Sequence, residues 1–148
     1  KIDQNIYQQD ETESQEYLQE SILRGMKILL AEDNEINMEI AEFYLTELGA
    51  EVDKAWNGKE AVDKFAGSEP GVYDAILMDV MMPVMDGITA AKHIRKLKRE
   101  DAKTVRILAI TAQVSEENAQ KCLEAGMDGH IPKPINVRKL GMMLQKTS

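Results

Sequence analysis

The sequence predicts an α/β fold in which a parallel sheet is covered by helices on both faces. From Gly25 onward, short apolar runs alternate about five times with segments that have helical periodicity. Strict alternation of strands and helices is typical of a parallel sheet, because each strand is joined to the next by a helical crossover. Three of the apolar runs are nearly continuous, as expected for strands that are buried on both sides.

The five predicted strands differ in how apolar they are. In chain order their sequences are MKILLA, EVDKAW, YDAILMD, VRILAIT and GHIPK. The three most apolar of them are predicted to occupy the centre of the sheet. The run EVDKAW is polar at alternate positions, which predicts a strand at the edge.

The first two predicted helices have clear boundaries. The first extends from Asn34 to Leu48 and ends at Gly49. Its apolar residues are predicted to share one broad face, made of Ile36, Ile40, Ala41, Phe43, Tyr44 and Leu48. The second helix begins at Asn57, an N-cap residue followed by Glu60 at the third helical position, and ends at Gly67.

Three more helices are predicted in the second half of the chain. The third follows Asp86-Gly87 and carries apolar residues at three-residue steps, namely Ile88, Ala91, Ile94 and Leu97. The fourth begins at Ser115, has two acidic residues in its first turn and ends at Gly126. The fifth begins near Asn136. A basic run at the end of the third helix, residues 92–99, is predicted to be solvated.

Composition separates an N-terminal segment from the rest. Residues 1–25 are rich in Gln, Glu, Asp and Ser and are predicted to form a polar linker or a partial helix, with the folded domain spanning residues 26–148. A net charge of −8 argues against a nucleic-acid-binding surface. The single Cys122 is predicted to be a buried thiol in a reducing compartment, which indicates a cytoplasmic domain.

The chain is also predicted to make no direct contact with a membrane, because no apolar run approaches the ~18 residues that a span requires. It begins with Lys1 instead of Met, so we expect it to be a piece of a longer protein, whose other parts include a possible membrane anchor.

Polar side chains follow four of the predicted strands. Glu32 and Asp33 follow the first, Asp79 closes the third, and Thr111 and Lys133 follow the fourth and fifth. Because parallel strands all end at one edge of the sheet, these groups are predicted to converge there. Three carboxylates beside a hydroxyl and an ammonium indicate a phosphoryl site built around a divalent cation.

Four segments in order carry a family resemblance: KILLAEDN, YDAILMDVMMPVMDG, ILAITA and DGHIPKPI. Together they resemble the receiver domain of two-component response regulators over about 120 residues from Met26. The similarity is greatest to receivers of hybrid histidine kinases, here as a C-terminal receiver. It implies a (βα)5 flavodoxin-like three-layer sandwich with strand order 2-1-3-4-5. It also implies that Asp79 receives a phosphoryl group from a phosphohistidine of the kinase or of a histidine-phosphotransfer domain.

The resemblance and the chemistry of the side chains suggest a role for each residue. Repulsion between the carboxylates favours Mg²⁺, a hard cation with oxygen ligands. Asp33, Asp79 and the backbone carbonyl of Met81 are predicted ligands, and Glu32 acts directly or through water. Asp79 is the nucleophile, while Lys133 and Thr111 stabilise the oxygens of the transferring group.

Three further expectations follow from the resemblance. Thr111 acts as a switch with the residue three before Lys133, which is His130 here although the family usually has an aromatic residue. The bond between Lys133 and Pro134 is cis. Partners dock on a partly apolar rim formed by Ile36, Asn37, Ile40 and Pro134.

Three alternatives belong to other functional classes. An aspartyl-nucleophile, Mg²⁺-dependent phosphohydrolase needs a second acid two residues after the nucleophile, where this chain has Met81. A flavodoxin-like cofactor binder needs a Gly- or Ser-rich first loop, whereas Glu32-Asp33-Asn34 would repel a phosphate. A phosphorylation-independent docking module usually lacks an acidic or Lys position, and none is missing here.

Overall fold

A computed structural model of the chain describes residues 22–112 and 115–145. The strands are β1 (Lys27–Ala31), β2 (Glu51–Ala55), β3 (Ala75–Asp79), β4 (Arg106–Thr111) and β5 (Gly129–Pro132). The helices are α1 (Glu35–Glu47), α2 (Gly58–Ala66), α3 (Gly87–Arg95), α4 (Asp101–Thr104), α5 (Glu116–Glu124) and α6 (Val137–Leu144). None of the helices within these ranges has the length and apolar character needed to cross a bilayer. The predicted linker lies outside the described residues, apart from its last four.

The five strands form one parallel sheet in the order β2-β1-β3-β4-β5, which confirms the predicted topology. The three most apolar strands are central, and β2 is at an edge as predicted. Asp79 pairs with Ile110, and Thr111 with Pro132. The register therefore brings the ends of β3, β4 and β5 to a common edge.

Successive residues of the central strands point alternately into two separate cores, one on each face of the sheet. Leu29 and Ile76 pack with α2, α3, α4 and α5, whereas Leu30 and Leu77 pack with α1 and α6. All five residues of β3 are buried. Because the central strands are packed on both faces, the positions of their C-terminal ends are held by the whole core.

Side-chain caps confirm the predicted starts of the helices. The side chains of Asn34, Asn57, Asp86, Ser115 and Asn136 each accept a hydrogen bond from the backbone N–H three residues later. Gly49 and Gly126 follow α1 and α5 with φ of 99° and 94°, a backbone conformation that favours glycine.

The predicted face of α1 is only partly correct. Ala41 and Leu48 are buried, together with Met38 and Leu45, but Ile36, Ile40 and Phe43 are 67%, 43% and 58% exposed. Helical spacing places Met38, Ala41 and Leu45 in one row and the three exposed residues in another. Only the first row faces the sheet.

The third helix is shorter than predicted. It ends at Arg95, and the short helix α4, which was not among the predicted helices, follows before β4. The intervening basic run is not uniformly solvated. Lys92, Lys96 and Lys98 are exposed, but Arg95 donates to the Gly126 carbonyl at 2.9 Å and pairs with Asp128 at 3.0 Å.

The side chain of Arg99 contacts the end of α2, the residues that follow it and the start of α4. Its guanidinium donates to the carbonyls of Phe65, in the last turn of α2, and of Ser68, just after that helix, both at 3.0 Å. It also pairs with Asp101 at the start of α4 and lies 4.7 Å from the centroid of the Phe65 ring. Its side chain is only 15% exposed.

The packed structure includes residues ahead of β1. Leu23 is fully buried, and its backbone N–H donates to the Leu48 carbonyl at 2.8 Å. Ile22 lies beside Gly141 of α6, where a Cβ on the glycine would be 3.6 Å from Ile22 Cγ2. The residues that precede β1 thus fill the junction between the end of α1 and α6.

We predict that Arg99→Ala lowers the free energy of unfolding by about 2 kcal/mol, because carbonyls at the C-terminal end of α2 and the Asp101 carboxylate lose a charged donor. Arg99→Lys retains the charge without the planar fork and is expected to recover only part of that loss. Urea denaturation measures both. The neighbouring exposed variant Lys98→Ala is the control, expected within about 0.5 kcal/mol of wild type. Equal stability of Arg99→Ala and Lys98→Ala would contradict the assignment.

Candidate phosphoryl site

The predicted polar residues converge at the C-terminal edge of the sheet. Backbone hydrogen bonds fix the segments that leave the strands: Glu32 N–H donates to Ala55 O at 3.0 Å, and Lys133 N–H donates to Thr111 O at 2.9 Å. Val80, directly after Asp79, donates to Ile110 O at 3.0 Å. The parallel ladder therefore continues one residue beyond the strands and positions the functional side chains.

Lys133 joins two of the acids. Its ammonium Nζ lies 2.9 Å from Asp79 Oδ2 and 3.3 Å from Glu32 Oε2. The peptide bond between Lys133 and Pro134 is cis, as the resemblance implied. Burial acts to lower the pKa of the Lys133 ammonium, but the hydrogen bond to Asp79 and the charges of Asp79 and Glu32 together raise it. The ammonium is therefore kept protonated beside the carboxylates.

Three carboxylates form a candidate metal site. Ligand oxygens of Glu32, Asp33 and Asp79 all lie within 4.8 Å of one another. Glu32 and Asp79 are only 2% and 4% exposed, whereas Asp33 is open to solvent. Burial, followed by the charge of Asp79, raises the pKa of Glu32 to about 7. A hard divalent cation fits this set of oxygen donors and would relieve their repulsion.

Local hydrogen bonds orient the two buried acids. Asp79 Oδ1 accepts from the Met81 N–H at 3.1 Å, so each oxygen of this carboxylate has a donor. Glu32 Oε1 accepts from the Asn34 N–H at 3.1 Å, and Asn34 in turn caps α1. The start of α1 is thereby linked directly to the acidic cluster.

The loop after Asp79 packs closely over that residue. Gly87 N–H donates to Val80 O at 3.0 Å, and a Cβ on Gly87 would collide with the Asp79 carbonyl and lie 2.9 Å from Met78 Cγ. Val84 has φ of 68°, in the left-handed region that is strained for a β-branched residue. The loop therefore requires a glycine at residue 87, where its backbone lies against Asp79. Its backbone is strained at Val84.

A small groove of about 160 Å³ opens beside the acids. Its lining residues are Glu32, Asn37, Ile40, Tyr44, Lys133, Pro134 and Ile135. Three of the four predicted docking residues therefore line it, and Ile36 lies exposed one helical turn before Ile40. Tyr44 and Ile135 also belong to this rim and were not among the predicted docking residues, although Tyr44 follows Ile40 by one helical turn.

The other predicted site residues lie around this cluster. Thr111 is 7% exposed at the end of β4. Met81 is 78% exposed, and its backbone N–H contacts Asp79. His130 is half-buried on β5 opposite Ala109, three residues before Lys133. The metal role of the Met81 carbonyl and the switch role of His130 stay predictions.

We predict that Gly87→Ala lowers the free energy of unfolding by about 1–3 kcal/mol, because the added Cβ overpacks against the backbone of Asp79. The displacement should also weaken the affinity of the site for a divalent cation. The fluorescence of Trp56, the only tryptophan, measures this affinity, because Trp56 follows Ala55, whose carbonyl accepts the Glu32 N–H. Gly67→Ala is the matched control, since Gly67 has φ of −83° and its Cβ would meet only Asp63 O at 3.2 Å. Similar effects of both substitutions would contradict this account.

Comparison with known proteins identifies the family. The model of the response regulator receiver domain matches residues 28–145. Hybrid signal transduction histidine kinase L of Dictyostelium discoideum is 38% identical over 121 residues, which are 81% of this chain and 7% of that kinase. The chain thus spans only a small part of this curated relative.

Two solved structures share the architecture. One is the receiver domain of sensor histidine kinase PA1611 from Pseudomonas aeruginosa PAO1, with a magnesium ion coordinated in its active-site cleft. It is 38% identical with a TM-score of 0.72, covering 81% of this chain and 94% of that one. The other is the receiver domain of Ssk1 in complex with the Saccharomyces cerevisiae histidine phosphotransfer protein Ypd1. It is 32% identical with a TM-score of 0.74, covering 84% and 89%. The chain belongs to the response regulator receiver domain family and is a receiver domain of two-component phosphorelay signalling.

Proposed function

We propose that Asp79 is the phosphoacceptor of this receiver and that its phosphoryl group comes from a phosphohistidine. The observation that carries the proposal is the setting of the Asp79 carboxylate. It lies nearly buried at the end of β3, between the Lys133 ammonium and the Met81 N–H, and beside two further acids. This setting presents one carboxylate to an electrophile while its charge is partly balanced.

The chemistry requires a nucleophile, charge stabilisation and little else. A carboxylate oxygen of Asp79 forms the new bond to phosphorus, and the bond from phosphorus to the donor's imidazole nitrogen breaks. The electron pair of the broken bond stays with the imidazole. Lys133 and Thr111 stabilise the oxygens of the transferring group. Lys133 therefore exchanges part of its contact with Asp79 for a contact with the phosphoryl oxygen.

We assign Mg²⁺ to the acidic cluster, with Asp33, Asp79 and the Met81 carbonyl as direct ligands and Glu32 as a direct or water-mediated ligand. The cluster of three carboxylates supports this assignment, as does the magnesium ion in the similar PA1611 receiver. When bound, the cation supplies positive charge that lowers the repulsion between Asp79 and an incoming phosphoryl group.

The proposed donor is the phosphohistidine of a histidine kinase or of a histidine-phosphotransfer domain. The similar receiver of Ssk1 has been solved in complex with such a phosphotransfer protein. Docking would use Ile36, Asn37, Ile40 and Pro134. The last three line the groove that also contains Glu32 and Lys133, and Ile36 is exposed one helical turn before Ile40. A hybrid histidine kinase is the proposed parent, with residues 26–148 as the receiver and residues 1–25 as a linker whose residue Leu23 packs into the receiver core. The cytoplasm is its proposed location, which the similarity to kinase receivers supports.

The proposed response to phosphorylation involves Thr111 and His130. Thr111 lies at the end of β4, next to the phosphoacceptor strand, and His130 is on the adjacent strand β5. Movement of Thr111 toward the phosphoryl group would leave space near β5, into which the imidazole of His130 could turn. Partner contacts at the surface around β5 would then change with phosphorylation.

We predict that incubation with acetyl phosphate and Mg²⁺ adds one phosphoryl group per chain and that Asp79→Asn abolishes the addition. Asp33→Asn should strongly reduce the increase in labelling that Mg²⁺ produces, because it removes a metal ligand with little change in side-chain volume. Intact-mass spectrometry measures the labelling. Glu116→Gln, an exposed acid on α5, is the control that should label normally. Continuous release of phosphate without a stable labelled chain would favour the phosphohydrolase alternative.

We also predict that Ile40→Glu slows phosphoryl transfer from a phosphorylated histidine-phosphotransfer domain by at least about tenfold, because it places a charge in the apolar rim. Labelling by acetyl phosphate needs no docking and should be unchanged. Rapid-quench measurements separate the two reactions. The control is Met142→Glu on α6, which adds the same charge at a residue that is 67% exposed. Equal transfer rates for the two variants would place docking elsewhere.

A further inference from the structure

An apolar row on α1 extends well beyond the groove. Ile36, Ile40 and Phe43, which we call the α1 stripe, are 67%, 43% and 58% exposed. Their spacing of four and three residues puts them on one side of the helix, away from the buried row of Met38, Ala41 and Leu45. The stripe begins near the acidic cluster and continues toward the end of α1.

The charged residues of α1 itself all have one sign. Two cations lie nearby on other elements: Lys54 of β2 pairs with Glu42 at 3.4 Å, and Lys133 lines the groove. Helix α1 contains Glu35, Glu39, Glu42 and Glu47 and no Lys or Arg. At about 100° per residue, Glu39 is about 60° from Ile36 on one side of the stripe, whereas Asn37 and the groove are on the other. Glu47 follows Phe43 by one turn, at the far end. Glu39 and Glu47, both exposed, form what we call the acidic border.

This charge distribution discriminates among possible occupants of the stripe. A second copy of the chain would bring an identical acidic border, and the chain as a whole carries a net charge of −8. Residues 1–21 contain six acidic residues and one Lys, so they too would be repelled. Like charges placed opposite each other at an interface oppose binding, whereas opposite charges favour it.

We propose that the α1 stripe and its acidic border select a phosphohistidine donor whose docking surface is an apolar row flanked by Lys or Arg. The inference rests on the proposed function, because the groove beside the stripe leads to Lys133 and hence to Asp79. A partner seated on the stripe has its edge next to the phosphoacceptor. The stripe supplies contact area, and the border determines which partners approach.

Glu39 and Glu47 are exposed, so their effect is expected mainly on the rate of association and on its salt dependence. Complementary charges raise association rates by about tenfold or more at low salt, and the gain decreases as salt rises. The selection should therefore be strong at low ionic strength and weak at high ionic strength.

The test uses the full chain and one phosphorylated histidine-phosphotransfer domain made in two forms, with either Lys or Glu flanking its apolar docking patch. Wild type should accept phosphoryl groups from the Lys form at least about tenfold faster at low salt. Glu39→Lys/Glu47→Lys should reverse this preference. The matched control Glu100→Lys/Glu124→Lys makes the same change in net charge at exposed sites outside α1 and should keep it.

Each outcome has a defined meaning. An unchanged preference in Glu39→Lys/Glu47→Lys, or an equal change in the control, would overturn the role of the border. Faster transfer after removal of residues 1–21 would show that this segment covers the stripe, and self-association abolished by Ile40→Glu would show that a second copy does. Either result would overturn the proposed occupant. Loss of acetyl phosphate labelling at Asp79 in the wild type would instead refute the proposed function itself.

Discussion

Mutual repulsion among three carboxylates governs the chemistry at the C-terminal edge of the sheet. Glu32, Asp33 and Asp79 have ligand oxygens within 4.8 Å of one another, and two of these residues are almost completely buried. One ammonium, that of Lys133, offsets part of their charge. When all three acids are ionised, the cluster retains an excess of negative charge. It is suited to a divalent cation for that reason, and to a phosphoryl group only when positive charge is present.

Because these carboxylates repel one another, their positions must be fixed by packing elsewhere in the domain. Here the two cores on opposite faces of the sheet hold them, because β1, β3 and β4 are packed on both sides. The fold keeps this chemistry separate from partner recognition. The acids belong to strand ends, whereas the α1 stripe belongs to a helix that is linked to them through Asn34 and Glu32. Because this link uses the backbone N–H of Asn34, surface side chains farther along α1 can vary without removing it.

The strand ends could be predicted because parallel topology leaves little freedom: once Asp79 closes a buried strand, its neighbours at the sheet edge follow from chain order. The orientation of α1 about its own axis could not be predicted from the sequence. Two rows of apolar residues satisfy helical periodicity equally well, and only packing shows that Met38 faces the core and Ile36 does not. The role of Arg99 was also hidden, because its carbonyl partners are 31 to 34 residues away in the chain and have no sequence signal.

The burial of Leu23 changes where the domain begins in practice. The family match starts at residue 28, but this leucine is an integral part of the core between α1 and α6. A recombinant fragment that starts at Met26 would leave a leucine-sized hole there and lose roughly 2–5 kcal/mol of stability. In a longer parent protein, the upstream chain is fastened to the far end of α1 by the Leu23–Leu48 hydrogen bond. Tension or rotation from upstream would thus act on α6 through Ile22 and on the end of the partner-facing helix through Leu23.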